Sequence, residues 1–100
     1  MLAITSKQRA YLRAMNNVLE PTLYIGKENI TPNTVTEADL LLEAREIIKC
    51  AVQRGAQITA REACETLAEE LDAAPVQCIG NRFCLYRPKR KSDPVIQLPR

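Results

Sequence analysis

One short stretch has the residue types to hold an anion. Leu23-Tyr24-Ile25 is β-rich, Gly26-Lys27-Glu28-Asn29 follows as a loop, and Thr31-Pro32-Asn33 has the composition of a helix start. Strand, loop and helix start in that order present backbone N–H groups at a helix N-terminus, where unpaired donors and the helix dipole attract an anionic oxygen. Lys27 adds a full positive charge. Gly26 and Asn29 are residue types that readily take a positive φ, so the loop can bend sharply. The chemistry on offer is phosphate binding. The plainer reading is an ordinary strand-to-helix turn, since many such turns hold a glycine and a lysine with no ligand.

Other cationic side chains fall near the two ends of the chain. Residues 1–36 carry Lys7, Arg9, Arg13 and Lys27 against Glu20 and Glu28, a net +2. Residues 37–72 carry nine carboxylates against Arg45, Lys49, Arg54 and Arg61, a net −5. Residues 73–100 carry Arg82, Arg87, Lys89, Arg90, Lys91 and Arg100 against Asp93, a net +5. Basic ends around an acidic middle suit a dipolar molecule with one nucleic-acid-facing side. A solvated basic tail is the bland alternative.

Catalytic and metal chemistry find little here. The chain has no histidine, and Cys50, Cys64, Cys78 and Cys84 form no C-x-x-C pair, so buried reduced thiols are expected rather than a metal site. No nucleophile motif, cofactor fingerprint or loop pair of carboxylates is present, and neither an enzyme nor a cofactor is expected. No apolar run approaches a membrane span, and the first residues lack a secretory pattern, so a cytoplasmic protein is expected.

Several elements must position these groups. Thr5 and Gln8 form a capping-box pattern, and Tyr11, Leu12, Met15, Val18 and Leu19 recur at helical spacing until Pro21. Lys7, Arg9, Arg13, Asn16 and Asn17 fall mainly on the opposite face. After the strand Leu23–Ile25, a second helix is expected from Asn33 to about Arg45. Ile47–Gln53 reads as a strand with Ile48, Cys50 and Val52 on one face and Ile47, Lys49 and Ala51 on the other. Thr59 and Glu62 begin a third helix running to about Ala73, whose Glu65, Glu69, Glu70 and Asp72 make an acidic outer face. Gly80-Asn81 then joins Pro75–Ile79 to Arg82–Arg87 as a type II′ hairpin, with Cys78 opposite Phe83 and Cys84 opposite Gln77. Val76, Cys78, Phe83 and Leu85 are expected on the core face.

The order α-β-α-β-α-β-β implies an α/β domain with a four-stranded mixed sheet. Two crossovers make the first three strands parallel, and the hairpin makes the last strand antiparallel. The second and third helices then share one face, and the first helix is expected on the other, where Ile47, Ile79 and Cys84 need cover. Residues 1–88 are expected to form one domain and 89–100 a basic tail, with Val95, Ile96 and Leu98 docking at an edge.

Four stretches together resemble a known family. They are Thr5-Ser-Lys-Gln-Arg-Ala-Tyr-Leu-Arg13, Leu19-Glu-Pro-Thr-Leu-Tyr-Ile-Gly-Lys27, Arg45-Glu-Ile-Ile-Lys49 and Val76-Gln-Cys-Ile-Gly-Asn-Arg-Phe-Cys-Leu-Tyr-Arg-Pro88. In this order they resemble the YhbY-like branch of the CRM family of RNA-binding domains. The resemblance implies a fold similar to the C-terminal domain of translation initiation factor three. It also implies RNA as partner, and for a stand-alone bacterial member, ribosomal RNA in precursors of the large subunit. A monomer away from membranes is expected.

The family's G-x-x-G loop would fall on Gly26-Lys27-Glu28-Asn29, with Asn29 in place of the second glycine. Asparagine is the commonest non-glycine residue to take the left-handed conformation, so the bend is expected to survive. Lys49 matches the family's E-[LI]-I-K stretch and is either an RNA contact or a strand lysine whose stem covers apolar surface. Arg82, Arg87, Lys89, Arg90 and Lys91 are expected phosphate contacts, and the polar face with Lys7, Arg9 and Arg13 is expected to join them. A protein-interaction adaptor, docking on a ribosomal protein or assembly factor through the acidic third helix, is the alternative.

Overall fold

Three threonines start the three helices. In the computed structural model, which describes residues 1–100, Thr5, Thr31 and Thr59 are the N-caps of α1 (Ser6–Asn16), α2 (Pro32–Arg45) and α3 (Ala60–Leu71). Each accepts the backbone N–H three residues on, and the side chain at that position (Gln8, Thr34 or Glu62) reaches back to the cap N–H. These reciprocal bonds satisfy donors that a helix start otherwise leaves open, and losing a cap costs about 1 kcal/mol.

The strands are β1 (Leu23–Ile25), β2 (Ile47–Val52), β3 (Ala74–Ile79) and β4 (Arg82–Tyr86), arranged in one sheet in the order β1-β2-β4-β3. The first two pair in parallel, and β4 is antiparallel to both β2 and β3. The three strands that follow helices thus share one direction, with the last strand inserted between β2 and β3. The hairpin register is as expected, Cys78 opposite Phe83 and Gln77 opposite Cys84. Its turn places Gly80 at φ +59° and leaves Asn81 at negative φ, as a type II′ turn needs.

Both sheet faces are covered. Leu23, Ile25, Ile48, Cys50, Val52, Phe83 and Leu85 pack under Ala38 and Leu42 of α2 and Ala63, Leu67 and Ala68 of α3. Opposite, Leu12 of α1 packs over Ile47, Val76, Cys84 and Tyr86, with Ile96 and Leu98 of the C-terminal segment closing the cluster. Burying each such side chain contributes roughly 1.5–3 kcal/mol, so α1 and the terminal segment depend on this smaller core.

Two expectations are corrected. Val76 lies in the α1 cluster, because β3 bulges between Pro75 and Gln77 and the extra residue inverts the alternation before it. Ile79 stays 66% exposed, since the last residue of α1, Asn16, reaches only as far as Gln77. Of the apolar residues near the C-terminus, Ile96 and Leu98 dock and Val95 stays exposed.

Candidate nucleic-acid interface

The loop after β1 closes on itself. The Gly26 carbonyl accepts the Asn29 N–H at 2.9 Å, and Asn29 takes φ +60°, so asparagine supplies the left-handed residue. Its side chain does more than permit the bend. Asn29 Oδ1 accepts the Gln57 N–H at 2.9 Å and the Ile58 N–H at 3.2 Å, tying this loop to the one after β2. Glycine could make neither bond. Gly26, by contrast, has no positive φ; a Cβ there would lie 3.3 Å from Gln53 Oε1, a tight contact that a small shift of that flexible side chain would relieve.

The expected cradle of open amides is largely filled. At the α2 start, the Thr31 and Thr34 N–H groups go to the capping box, and Pro32 has none. Asn33 is left with the one open amide of that terminus. Charge rather than amide geometry is therefore the main attraction for an anion here.

Three loops meet at this end of the sheet. The Gln53 N–H donates to the Ile25 carbonyl, while the Val52 N–H donates to the Asn81 carbonyl at 2.7 Å and Asn81 Nδ2 returns a bond to the Val52 carbonyl. Lys27, Arg54 and Arg82 consequently lie at one end of the molecule, all exposed. Sequence reading missed Arg54; its signal was a cation beside Gly55, at the end of the strand pairing with β1.

Lys49 is half-buried on the α1 side of the sheet. It lines a cavity of about 190 Å³ with Asn16, Asn17, Gln77, Ile79 and Arg82. The C-terminal turn of α1 reaches this cavity, and Asn16 Nδ2 donates to Gln77 Oε1 at 3.1 Å. Arg13, exposed one turn before Asn17, continues the same helix stripe. At the other end of α1, Lys7 is exposed and Arg9 Nε donates to the Pro75 carbonyl at 3.3 Å.

Arg87, Lys89, Arg90 and Lys91 lie at the opposite end of the sheet. Arg87 is a correction: it is 2% exposed and has no surface to offer a phosphate. Its Nη1 donates to Asp39 Oδ1 at 2.7 Å and to the Leu71 carbonyl, and its Nη2 lies 3.6 Å from Glu43. The Arg90 side chain donates to the Leu71 carbonyl and lies 3.8 Å from Asp72. Its N–H and that of Lys91 donate to the Glu43 carboxylate, while the Lys89, Val95 and Ile96 N–H groups donate to Glu46 at 2.8 Å each. The Lys89 and Lys91 ammonium groups make no ion pair.

Glu46 was the largest omission of the sequence reading. It is 1% exposed and sits at φ +66° just past α2. Burial by itself raises its pKa, but the three N–H donors outweigh burial and hold it below the ordinary carboxylate value. The N–H groups of Lys91 and Arg90 lower Glu43 likewise. The thiols behave in the opposite sense: burial pushes Cys64 and Cys84 up to about 12, and Cys50 higher still.

The two ends thus differ electrostatically. Ion pairs involve the N-terminal amine, Arg87 and Arg90; Arg13, Lys27, Lys49, Arg54 and Arg82 have no carboxylate within 4.0 Å.

A model of the CRS1/YhbY (CRM) domain matches residues 4–87. "Probable RNA-binding protein YqeI" of Bacillus subtilis (strain 168) is 32% identical over 96% of this chain and 99% of its own length. An "RNA-binding protein" of Haemophilus influenzae is 31% identical over 100% of this chain and 99% of its own. The protein SAV1595 of Staphylococcus aureus, solved in solution, superposes with a TM-score of 0.79 at 36% identity, covering 99% of this chain and 100% of that one. With that fold, those relatives and a match over most of its length, this chain belongs to the CRS1/YhbY (CRM) domain family.

Proposed function

We propose that this protein is a non-catalytic RNA-binding module that holds ribosomal RNA in precursors of the large subunit during assembly, acting as a monomer. The observation that carries the reading is the group of exposed cations at the loop end, Lys27, Arg54 and Arg82, with Lys49 and Arg13 beside them and none of the five within 4.0 Å of a carboxylate. Relatives along the whole chain are named as RNA-binding proteins, which supports RNA as the polyanion. In this reading Gly26 and Asn29 set the loop that presents Lys27, and the cations grip phosphates and fix the orientation of a folded RNA segment. Lys7, Lys89, Arg90 and Lys91 add weaker outer contacts, and Arg9 contributes through its place on α1.

Binding to large-subunit ribosomal RNA fragments across a salt series, with duplex DNA as control, tests the proposal. Log affinity should fall by roughly 0.7–0.9 per phosphate neutralised for each unit of log salt, with RNA preferred over DNA. Absence of RNA binding at low salt would overturn it.

An adaptor role is favoured by one feature. A groove of about 630 Å³ runs along β3 between α1 and α3, lined by Arg9, Arg61, Glu65 and Glu69 among others. Reversing the charge of Glu65 and Glu69 separates the readings: an adaptor loses its protein partner, and an RNA binder keeps or gains RNA affinity.

A further inference from the structure

We propose that single-stranded RNA crosses the open part of the α1-side sheet face, with one base stacked on Tyr24 and another seated in the cavity beside Ile79. The proposal rests on the RNA-binding reading and deepens it, naming the form of RNA and its path. The register places Tyr24 beside Ala51, Ala51 beside Arg82 and Arg82 beside Ile79, so these four side chains form one row across all four strands. The C-terminal turn of α1 borders the row only at its Ile79 and Arg82 side, through Asn16 and Asn17. The row's two ends are large apolar groups in solvent, Tyr24 at 55% and Ile79 at 66% exposure. Between them lie Ala51, buried at the floor of the row, and the exposed cation Arg82 above it, with Lys49 in the next row.

Each feature fits an unstacked strand better than a duplex. Aromatic rings exposed on a sheet face serve as stacking platforms for single-stranded bases, and a four-stranded sheet accommodates about two or three of them. At the Ile79 end, the cavity of about 190 Å³ has room for one base and none for a helix. None of its lining residues is acidic, and its two cations flank the amides of Asn16, Asn17 and Gln77. Asn16 is nine-tenths buried, and its Oδ1 has no donor within the protein. The exposed amide of Asn17 and the half-buried amide of Gln77 are the polar edges that a base can meet there. Arg82, shared by the row and the cavity, is placed to hold the phosphate between the two bases.

The test compares a short single-stranded RNA, the same strand with abasic residues, and duplex RNA of equal charge. Each is titrated into the wild-type protein and into Tyr24→Ser, Tyr24→Phe, Ile79→Ser and Lys27→Gln. Tyr24 and Ile79 are exposed, and circular dichroism checks that each variant folds. Tyr24→Ser should weaken the intact strand by roughly tenfold, Tyr24→Phe should restore it, and Ile79→Ser should cost about threefold, with little change for abasic strand or duplex. Lys27→Gln should weaken all three ligands alike. Wild-type affinity for the intact strand in Tyr24→Ser and Ile79→Ser, with Lys27→Gln still impaired, would overturn the path and leave the RNA reading standing. No binding of any RNA by the wild-type protein would overturn both.

Discussion

The two ends of the sheet carry similar numbers of basic residues and use them in opposite ways. At the loop end Lys27, Arg54 and Arg82 project from three turns and form no ion pair within 4.0 Å. At the other end Arg87 and Arg90 face Asp39, Glu43 and Asp72, while Glu43 and Glu46 gather backbone N–H groups from residues 89–96. The C-terminal stretch is the more basic in sequence, yet part of its charge is neutralised within the fold. What an approaching polyanion meets is the charge left unpaired, which is the comparison the following experiments address.

The largest effect should come from Glu46→Ala. It leaves the Lys89, Val95 and Ile96 N–H groups without their acceptor in a buried site, and a loss of about 3 kcal/mol in urea unfolding is expected. RNA affinity of the folded variant should hardly change; a large drop would erase the distinction between the ends. Next comes the triple change Lys27→Gln, Arg54→Gln, Arg82→Gln. It should lower RNA affinity about tenfold or more near physiological salt and flatten the log–log salt slope by about 2 to 3. The matching triple at Lys89, Arg90 and Lys91 should cost no more than about threefold. Equal losses from the two triples would show that Lys89 and Lys91, whose ammonium groups make no ion pair, meet RNA as directly as the loop end does.

Smaller effects sharpen the picture. Asn29→Gly keeps the left-handed bend but removes both acceptor contacts to Gln57 and Ile58, with an expected loss of about 1 kcal/mol. Asn29→Ala should cost roughly 1 kcal/mol more, because alanine is strained at positive φ. Both are measured by thermal or urea unfolding. The pH response concerns the C-terminal end. Glu43 and Glu46 have folded pKa values below the ordinary 4.5, so their stabilisation is complete above that value and is lost as pH falls through the folded values. Amide exchange at Val95 and Ile96 should therefore keep its free energy of opening from pH 7 to 5 and loosen in more acid solution.

Local signals made most of the fold legible. Thr5–Gln8, Thr59–Glu62 and Gly80-Asn81 are short-range patterns, and each holds in the structure. The alternation Ile48, Cys50, Val52 gave the correct face of β2, and α1 lies on the expected side. Val76 was misassigned because a bulge changes the phase of alternation without changing the residues that alternate. Arg87 was misassigned as a phosphate contact and Glu46 was missed because their environments come from partners some 40 to 50 positions away. A trace of Arg87's burial was nonetheless present. Phe83, Leu85 and Arg87 continue one period of two toward the α2 side, and Asp39 and Glu43 stand one turn apart on that helix. The loop was found from its residue types, but Asn29's two bonds depend on a second loop that no local pattern brings near.

The cysteines turn the two layers into separate clocks. Cys50 lies on β2 beneath α2 and α3 and Cys64 on the buried face of α3, whereas Cys84 lies beneath α1. All three are buried and almost wholly protonated near neutrality, so an alkylating reagent must wait for the covering helices to lift. Mass spectrometry of pulse-labelled protein can then time each layer's opening from the native cysteines. If α1 departs before global unfolding, Cys84 will take up label while Cys50 and Cys64 remain silent. Bound RNA along the α1 side should slow that first event selectively.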